Sequence, residues 1–462
     1  MRIVKNNVFL YLLIIFFAFL FFFRLGYNSL TNWDEAWYGS IAREIIRTND
    51  WIRLTWNGYP YFDHPPLGFW LIALSYKIFG ISEFSTRFPS AFLGLLSIIF
   101  IYKIGLQIFN KKAIGFAAAL VLGSSVWYLI RVRSGNLDST FVFFYLLTIY
   151  LALKSSKNFK WFPLVGLSVG ALIMTKTIVG VSIIILIVFL NYSQLLKIRK
   201  NFIYIILAIL LFSVIVFPWY IFHLKYYPGF YQRHFIEIGI RSKTLSSYFN
   251  LYINKPFYYL HMGIRKWYFI WLFSVAYLIV RFRFIKKQVI FLFLWSIIVL
   301  YPFLTSEKTE LWHMIPVYLP VSLTIAYGMY DFLSLLPYKS AFYAIFFAII
   351  FLIQMKNFWP EIIPKSKYIS DEIDISRKAA KYNKTIVLDD EFLPVAVFYS
   401  GRNIIQIVYY PNISNHTLVD LYKLKYKDLI VIARQSAVDS LTNAGLAYKV
   451  LEKNNSFLIL TK

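Results

Sequence analysis

The chain reads as a polytopic α-helical membrane protein with a small α/β domain at its C-terminal end. Three observations predict this. Of its 462 residues, 59% are hydrophobic and only 15% are charged, a balance outside that of ordinary soluble domains. The apolar residues fall in runs long enough to cross about 30 Å of hydrocarbon. After residue 361 the pattern changes: Pro360 and Pro364 punctuate the chain, charges become frequent, and short β-rich runs alternate with helical ones.

The first run, Val8 to Phe23, follows Arg2 and Lys5, and no small-residue cleavage pattern comes after it, so it reads as a retained helix. Further runs lie near 88–109, 113–130, 138–153, 202–222, 267–280, 288–304, 314–333 and 340–356. Segment 162–192 is too long for one helix, and Lys176 splits it into two short spans. The expectation is about 11 transmembrane helices of roughly 20 residues. Residues 1–360 form this domain, with loops 26–87 and 223–266, and residues 361–462 form the α/β domain. Within the latter, Lys384–Leu388 and Asp428–Ile432 read as strands. Leu446–Leu451 and Phe457–Leu460 read as a closing hairpin turned at Lys453-Asn-Asn-Ser456.

Charge orients the spans. Lys111-Lys112, Lys154/Lys157/Lys160, Lys197/Arg199/Lys200, Arg281/Arg283/Lys286/Lys287 and Lys339 all fall on one side, which the positive-inside rule makes cytoplasmic. Loops 26–87, 131–137, 223–266 and 305–313, Lys176 and the C-terminal domain are then extracytoplasmic. The net charge of +26 sits in these short clusters, so it marks membrane topology and not a nucleic-acid partner. With no cysteine in the chain, disulfides, thiolate metal sites and cysteine nucleophiles are excluded.

The first external loop carries the chemistry-bearing residues. Thr31-x-x-Asp34 has capping-box spacing, and Trp37, Ile41, Ala42, Ile45 and Ile46 recur at helical spacing, predicting an amphipathic helix on the membrane surface. Asp34 and Glu35 at its start either stabilise the first turn or supply a positioned carboxylate that takes a proton from an acceptor hydroxyl. Tyr61-Phe-Asp63-His64-Pro65-Pro66 is either a rigid elbow before a helix or a phosphate- or metal-binding element. In the next external loop, Arg131, Arg133 and Asp138 could clamp phosphate or anchor the membrane edge. Asp389-Asp390-Glu391 reads as a solvated strand-to-helix turn.

The order Asp-Glu-x-x-Tyr, Tyr-Phe-acid-base-Pro-Pro, an Arg-rich loop ending in Asn-x-Asp, and Thr-Lys before a short span resembles the bacterial aminoarabinose transferases and protein O-mannosyltransferases. These are membrane glycosyltransferases of the C superfamily (GT-C). The similarity runs in order from about residue 26 to 333. It implies transfer of a hexose or pentose, with inversion, from a polyprenyl-phosphate donor to a lipid, glycan or protein acceptor, at the extracytoplasmic face of the plasma or inner membrane. Asp34 takes the place of the catalytic aspartate. Glu35, Tyr38, Tyr61, Asp63, His64, Arg131, Asp138, Lys176 and Arg241 take binding places around the substrate and its phosphate. His64 stands where the aminoarabinose transferases have lysine, replacing a permanent charge by one that titrates near neutrality. Thr177 replaces a glycine, and Ser306-Glu-Lys308-Thr only loosely keeps a later basic loop. The resemblance fixes no cofactor and leaves a divalent metal open, which would fall to Asp63, His64 and Glu237. The alternative from another class is a transporter or flippase for a lipid-linked saccharide.

Overall fold

The computed structural model describes residues 8–176, 180–240, 250–281, 287–306, 309–411, 413, 417–424 and 428–462. The chain divides into two compact units. The first comprises residues 1–23, 62–68 and 88–363; the second comprises 24–61, 69–87 and 364–462. Residues 24–61 and 69–87 thus group with the C-terminal region, while residues 62–68 between them group with the first unit.

The protein is a multi-pass membrane protein. Among the described residues five helices are long and apolar enough to cross a bilayer alone: Glu83–Phe109, Asp138–Lys157, Ile198–Tyr226, Lys287–Leu304 and Lys339–Pro360. Two further pairs are apolar enough only when taken together, as a broken span or a re-entrant loop: Lys112–Gly123 with Val126–Val132, bent by 71°, and Asn254–Ile264 with Lys266–Val280, bent by 117°. The run 113–130, expected as one span, is therefore a kinked pair. Ser124 and Ser125 interrupt the first pair, and Arg265, at φ 50°, interrupts the second.

Breaks at membrane depth expose backbone polar groups that must find partners inside the protein. Here one side chain serves both. Fully buried Gln354 donates from Nε2 to the Ser124 carbonyl at 3.0 Å and the Ile264 carbonyl at 3.1 Å, and its Oε1 accepts from the Lys266 amide at 3.3 Å. The Trp267 indole N–H donates to the Ser124 hydroxyl at 2.9 Å. Elsewhere small residues set helix spacing. A Cβ on Gly166 would lie 2.0 Å from the Ala208 carbonyl oxygen, so the Phe162–Ile173 and Ile198–Tyr226 helices approach at backbone contact. Among the described residues, the segment beginning at 162 carries the helices Phe162–Ile173 and Ile183–Leu195, with Lys176 in the turn after the first.

The second unit holds a two-stranded ribbon, β1 (Thr55–Trp56) and β2 (Tyr59–Pro60), and a five-stranded sheet. The sheet strands are β3 (Thr385–Leu388), β4 (Ile404–Gln406), β5 (Leu429–Arg434), β6 (Lys449–Lys453) and β7 (Phe457–Thr461), in spatial order β4-β3-β5-β7-β6. Strand β3 pairs in parallel with β4 and with the central β5, and β7 is antiparallel to both its neighbours. The near-continuous apolar runs of β3 and β5 follow from burial on both faces. The hairpin turn closes through the Asn454 side chain, whose Oδ1 accepts from the amides of Ser456 (3.1 Å) and Phe457 (2.8 Å). The Asn454 side chain thus forms an Asx turn.

In the same unit the Asp34–Thr48 helix is buried along most of its length and packs on the Leu393–Ser400 helix. Arg43 donates to the carbonyls of Val397 (3.2 Å) and Phe398 (2.7 Å), capping that helix's C-terminal turn. The apolar stripe predicted to lie on a membrane is thus used for packing against protein.

Candidate active site

In the membrane unit, a cavity of about 150 Å³ is lined by Asp63, His64, Asp138, Lys176, His234, His313 and Trp312 together with apolar residues. Local sequence explains how these meet. Pro65 and Pro66 lack amide donors, so the first donor after the Asp63-His64 pair is the Leu67 amide. It bonds the Met174 carbonyl at 3.1 Å, tying the 62–66 elbow to the turn that presents Lys176. On the other side the His234 ring Nδ1 donates to the Phe62 carbonyl at 2.6 Å. The Phe62 ring is clasped by His223, Tyr227 and Phe230 at centroid distances of 6.1, 5.2 and 5.5 Å.

Asp138 is the electrostatic centre. It begins the Asp138–Lys157 helix, and its carboxylate bonds Lys176 Nζ through Oδ1 and Arg131 Nε at 2.5 Å through Oδ2. The Asn136 side chain accepts the Asp138 amide at 2.8 Å and donates to the Arg131 and Ser134 carbonyls. Asn-x-Asp is therefore a preorganised turn that fixes the aspartate between two cations. Arg131 also lies over the Trp312 ring, 5.4 Å from its centroid. Arg133 instead donates to the carbonyls of Leu20, Phe21 and Phe23, satisfying the C-terminal end of the first helix.

Asp63 has its own cation. Arg233 grips it bidentately, at 2.7 and 3.0 Å, and also bonds Glu237 at 3.0 Å. The two carboxylates push the Arg233 guanidinium further above its ordinary value. This arrangement does not suit the trio Asp63, His64 and Glu237 as metal ligands. A guanidinium already occupies both carboxylates, and among the described residues no three His, Asp or Glu side chains gather as a ligand set.

Burial, reinforced by the nearby Lys176 ammonium, lowers the His64 imidazole to about 3. The expectation of a charge titrating near neutrality is corrected: His64 enters the site as a neutral hydrogen-bonding ring. Burial also lowers His234. Its Nδ1 is a donor to Phe62, so its Nε2 accepts from the Tyr220 hydroxyl at 3.3 Å.

Other predicted residues belong to the second unit. Asp34 is the first residue of the Asp34–Thr48 helix and is partly exposed. The expected Thr31/Asp34 capping box is not formed. Glu35 reaches back instead, its Oε2 accepting the Thr31 amide at 2.9 Å, while the same carboxylate makes a buried bidentate pair with Arg87 at 2.7 and 2.9 Å. Arg87 additionally bonds the carbonyls of Leu25, Asn28 and Ser29, so Glu35 holds the entry of this loop together. Tyr38 and Tyr61 are buried edge-on to Phe69, with centroids 5.3 and 5.4 Å away. Trp37 and Trp56 pack at 5.0 Å, and neither buried indole N–H has a protein acceptor among the described residues. Arg241 and Thr177 lie outside the described residues.

Sequence reasoning missed Arg233, Arg87, His313 and Trp312. Only the Arg233/Glu237 spacing of four offered a signal, and it points within one helix, not to Asp63.

The chain is similar to known proteins in sequence and in fold. Residues 63–222 match the family model described as dolichyl-phosphate-mannose-protein mannosyltransferase. An undecaprenyl phosphate-alpha-4-amino-4-deoxy-L-arabinose arabinosyl transferase of Aeromonas hydrophila is 27% identical over 337 residues, covering 69% of this chain and 60% of that protein. The chain spans 26% to 60% of the length of the curated relatives it matches. The crystal structure of ArnT from Cupriavidus metallidurans bound to undecaprenyl phosphate superposes with a TM-score of 0.75 at 15% identity, covering 98% of both chains. The chain has the ArnT fold. It resembles the GT-C glycosyltransferases of the aminoarabinose-transferase and O-mannosyltransferase kind. The archaeal oligosaccharyltransferase AglB from Archaeoglobus fulgidus, in complex with an inhibitory peptide and a dolichol-phosphate, follows at a TM-score of 0.58 and 12% identity, covering 93% of this chain and 70% of that one.

Proposed function

We propose that this protein is a polyprenyl-phosphate-sugar-dependent glycosyltransferase, which moves a hexosyl or pentosyl group with inversion to a lipid, glycan or protein acceptor. The observation that carries this reading is the cavity of the membrane unit, where Asp138 holds Lys176 and Arg131 beside the Asp63-His64 elbow. A lipid-linked phosphate needs cations at the membrane edge that are fixed before it arrives, and charge-assisted contacts from Lys and Arg supply them. In the reaction the acceptor oxygen attacks the anomeric carbon, the bond from that carbon to the phosphate oxygen breaks, and the polyprenyl phosphate leaves with the bonding pair. Lys176 and Arg131 stabilise the charge that develops on the leaving phosphate. Neutral His64 and His234 offer hydrogen bonds without adding to that charge.

Asp34 is the residue proposed to take the acceptor's proton, on the resemblance around Asp34-Glu35-x-x-Tyr38 and on its place at a helix start with partial exposure. Glu35 is bound to Arg87 and so acts as a positioning residue for it. The site, the C-terminal domain and loops 26–87 and 223–266 are proposed to face the extracytoplasmic side of a chain with about 11 spans, a count that adds short apolar helices such as Val8–Phe22 and Ile183–Leu195 to the longer ones.

The test is reconstitution of the full chain in liposomes with polyprenyl-phosphate sugars, reading free polyprenyl phosphate and glycosylated acceptor. Wild type releases both, and Asp34→Asn loses at least about a hundredfold in rate while keeping its melting temperature. Translocation of the donor without release of polyprenyl phosphate would replace this reading by the transporter.

A further inference from the structure

Among the described residues, the carboxylates that line the Asp138 cavity are already matched by cations of the chain. Asp138 is bonded by Lys176 at Oδ1 and by Arg131 at Oδ2, and its side chain is 7% exposed. Asp63 is held through both oxygens by Arg233, at 2.7 and 3.0 Å, and Arg233 carries Glu237 on its other side. An ammonium on a ligand is a point charge without the guanidinium fork, so it competes poorly for a carboxylate gripped bidentately. To reach Asp138 it would have to displace Lys176, a cation of its own kind that the chain tethers in place.

The histidines on the same wall are neutral hydrogen-bonding groups. The Glu310 amide donates to His313 Nδ1 at 3.0 Å, so that nitrogen carries no hydrogen and the ring is the neutral tautomer with its hydrogen on Nε2. His234 gives its Nδ1 hydrogen to the Phe62 carbonyl, and burial lowers its proton affinity. At His64, burial and then the Lys176 ammonium oppose a positive charge. The same two causes act on an ammonium that a ligand brings alongside that ring.

We propose that this cavity selects a donor whose sugar is uncharged, a hexose or pentose bearing hydroxyls, over one that carries an ammonium group. The proposal deepens the glycosyltransferase reading and rests on it. Sugar hydroxyls exchange hydrogen bonds with the neutral imidazoles, His313 donating from Nε2, and leave the ion pairs intact. An ammonium arrives with a charge that the paired carboxylates do not match, and specificity follows from that unmatched charge more than from added contacts.

The experiment measures competitive binding, by the full-length protein in nanodiscs, of two donors that differ in one group: undecaprenyl-phosphate L-arabinose and its 4-amino-4-deoxy counterpart. At about pH 7 wild type should bind the hydroxyl donor at least about tenfold more tightly. The gap should close as pH rises through the pKa of the donor's amine, because the uncharged amine hydrogen-bonds as a hydroxyl does. Lys176→Met opens Asp138 Oδ1 to the ligand's ammonium and should bring the two affinities within about threefold of each other, while Lys176→Arg should keep the preference. Equal or tighter binding of the amino donor by wild type overturns the proposal and leaves the glycosyltransferase reading standing. A preference that persists after the amine is deprotonated also overturns it, assigning the selection to shape, as does an unchanged preference in Lys176→Met protein that keeps its fold. A folded chain that binds neither donor overturns the glycosyltransferase reading, and the selection with it.

Discussion

Asp138→Asn tests the central arrangement most directly. The Asp138 side chain is 7% exposed, and its two cationic partners, Arg131 and Lys176, are 13% and 22% exposed. Removing its charge leaves two nearly buried cations facing an amide that can accept from only one of them well. Breaking a buried pair by neutralising one partner costs about 3–5 kcal/mol. Lys176 keeps some access to water, so the lower end, about 3 kcal/mol, is expected, seen as a fall of at least about 5 °C in detergent melting. The cost should shrink by at least about 1 kcal/mol when Asp138→Asn is made in a Lys176→Met background, because one stranded cation is then absent. Added undecaprenyl phosphate should raise the melting temperature of Asp138→Asn more than that of wild type, since the stranded cations take the phosphate as their new counterion. Additivity of the two substitutions within about 0.5 kcal/mol, or equal thermal shifts with the lipid, would refute the reasoning.

Three other outcomes follow. His64 has its proton affinity lowered to about 3, so above its ordinary value of 6.5 it is neutral in both folded and unfolded chains, and no stability change arises. As pH falls below 6.5 the unfolded chain takes a proton that the folded chain refuses, and stability declines by up to about 1.4 kcal/mol per pH unit toward pH 3. His64→Gln should flatten the melting profile in that window, and an unchanged slope would contradict the neutral ring. Gln354→Leu strands the Ser124 and Ile264 carbonyls and the Lys266 amide, at a cost of about 2–4 kcal/mol, and a melting shift below about 1 °C would show that the two helix breaks find other partners. Replacing Asp389, Asp390 and Glu391 together by Ala should leave sugar transfer intact and cost at most about 1 kcal/mol, because the Arg434 that pairs with Asp390 is 55% exposed; a lost transfer rate would place the acidic run in the reaction.

The sequence made some of this legible and hid the rest for identifiable reasons. Strands 385–388 and 429–434 and the closing hairpin were readable because β-branched runs bounded by polar turns report local geometry. Asp63, His64, Asp138 and Lys176 were readable as candidates from the order of their motifs, and the structure brings these four to one cavity. What neighbours a residue in space was not readable. The periodicity of the Asp34–Thr48 helix showed an apolar face but not its partner, the Leu393–Ser400 helix roughly 350 residues away. The protonation of His64 was misjudged for the same reason, since its burial and the Lys176 beside it are tertiary facts. The kinks of the bent helix pairs escaped because Ser-Ser and Arg are not helix breakers by propensity; a glutamine from another helix stabilises both.

The charge inventory constrains how the proposed donor would enter. Arg131, Lys176 and Arg233 are already matched by Asp63, Asp138 and Glu237, and His64 and His234 are held toward the neutral form. A phosphate arriving at this cavity therefore meets cations that are committed. It must either draw Lys176 or Arg131 partly away from Asp138 or raise the proton affinity of His64 until the ring charges. The first route weakens a contact at the moment of binding and restores it when the phosphate departs, so Asp138 acts as a competing counterion that keeps the leaving lipid from being held too tightly. The second makes donor affinity rise as pH falls through the raised pKa of the ring in the donor complex, and does so only while His64 is present. Donor affinity measured across pH in wild type and His64→Gln separates them: a pH dependence abolished by the substitution selects protonation of His64, and a flat profile in both selects exchange at Asp138.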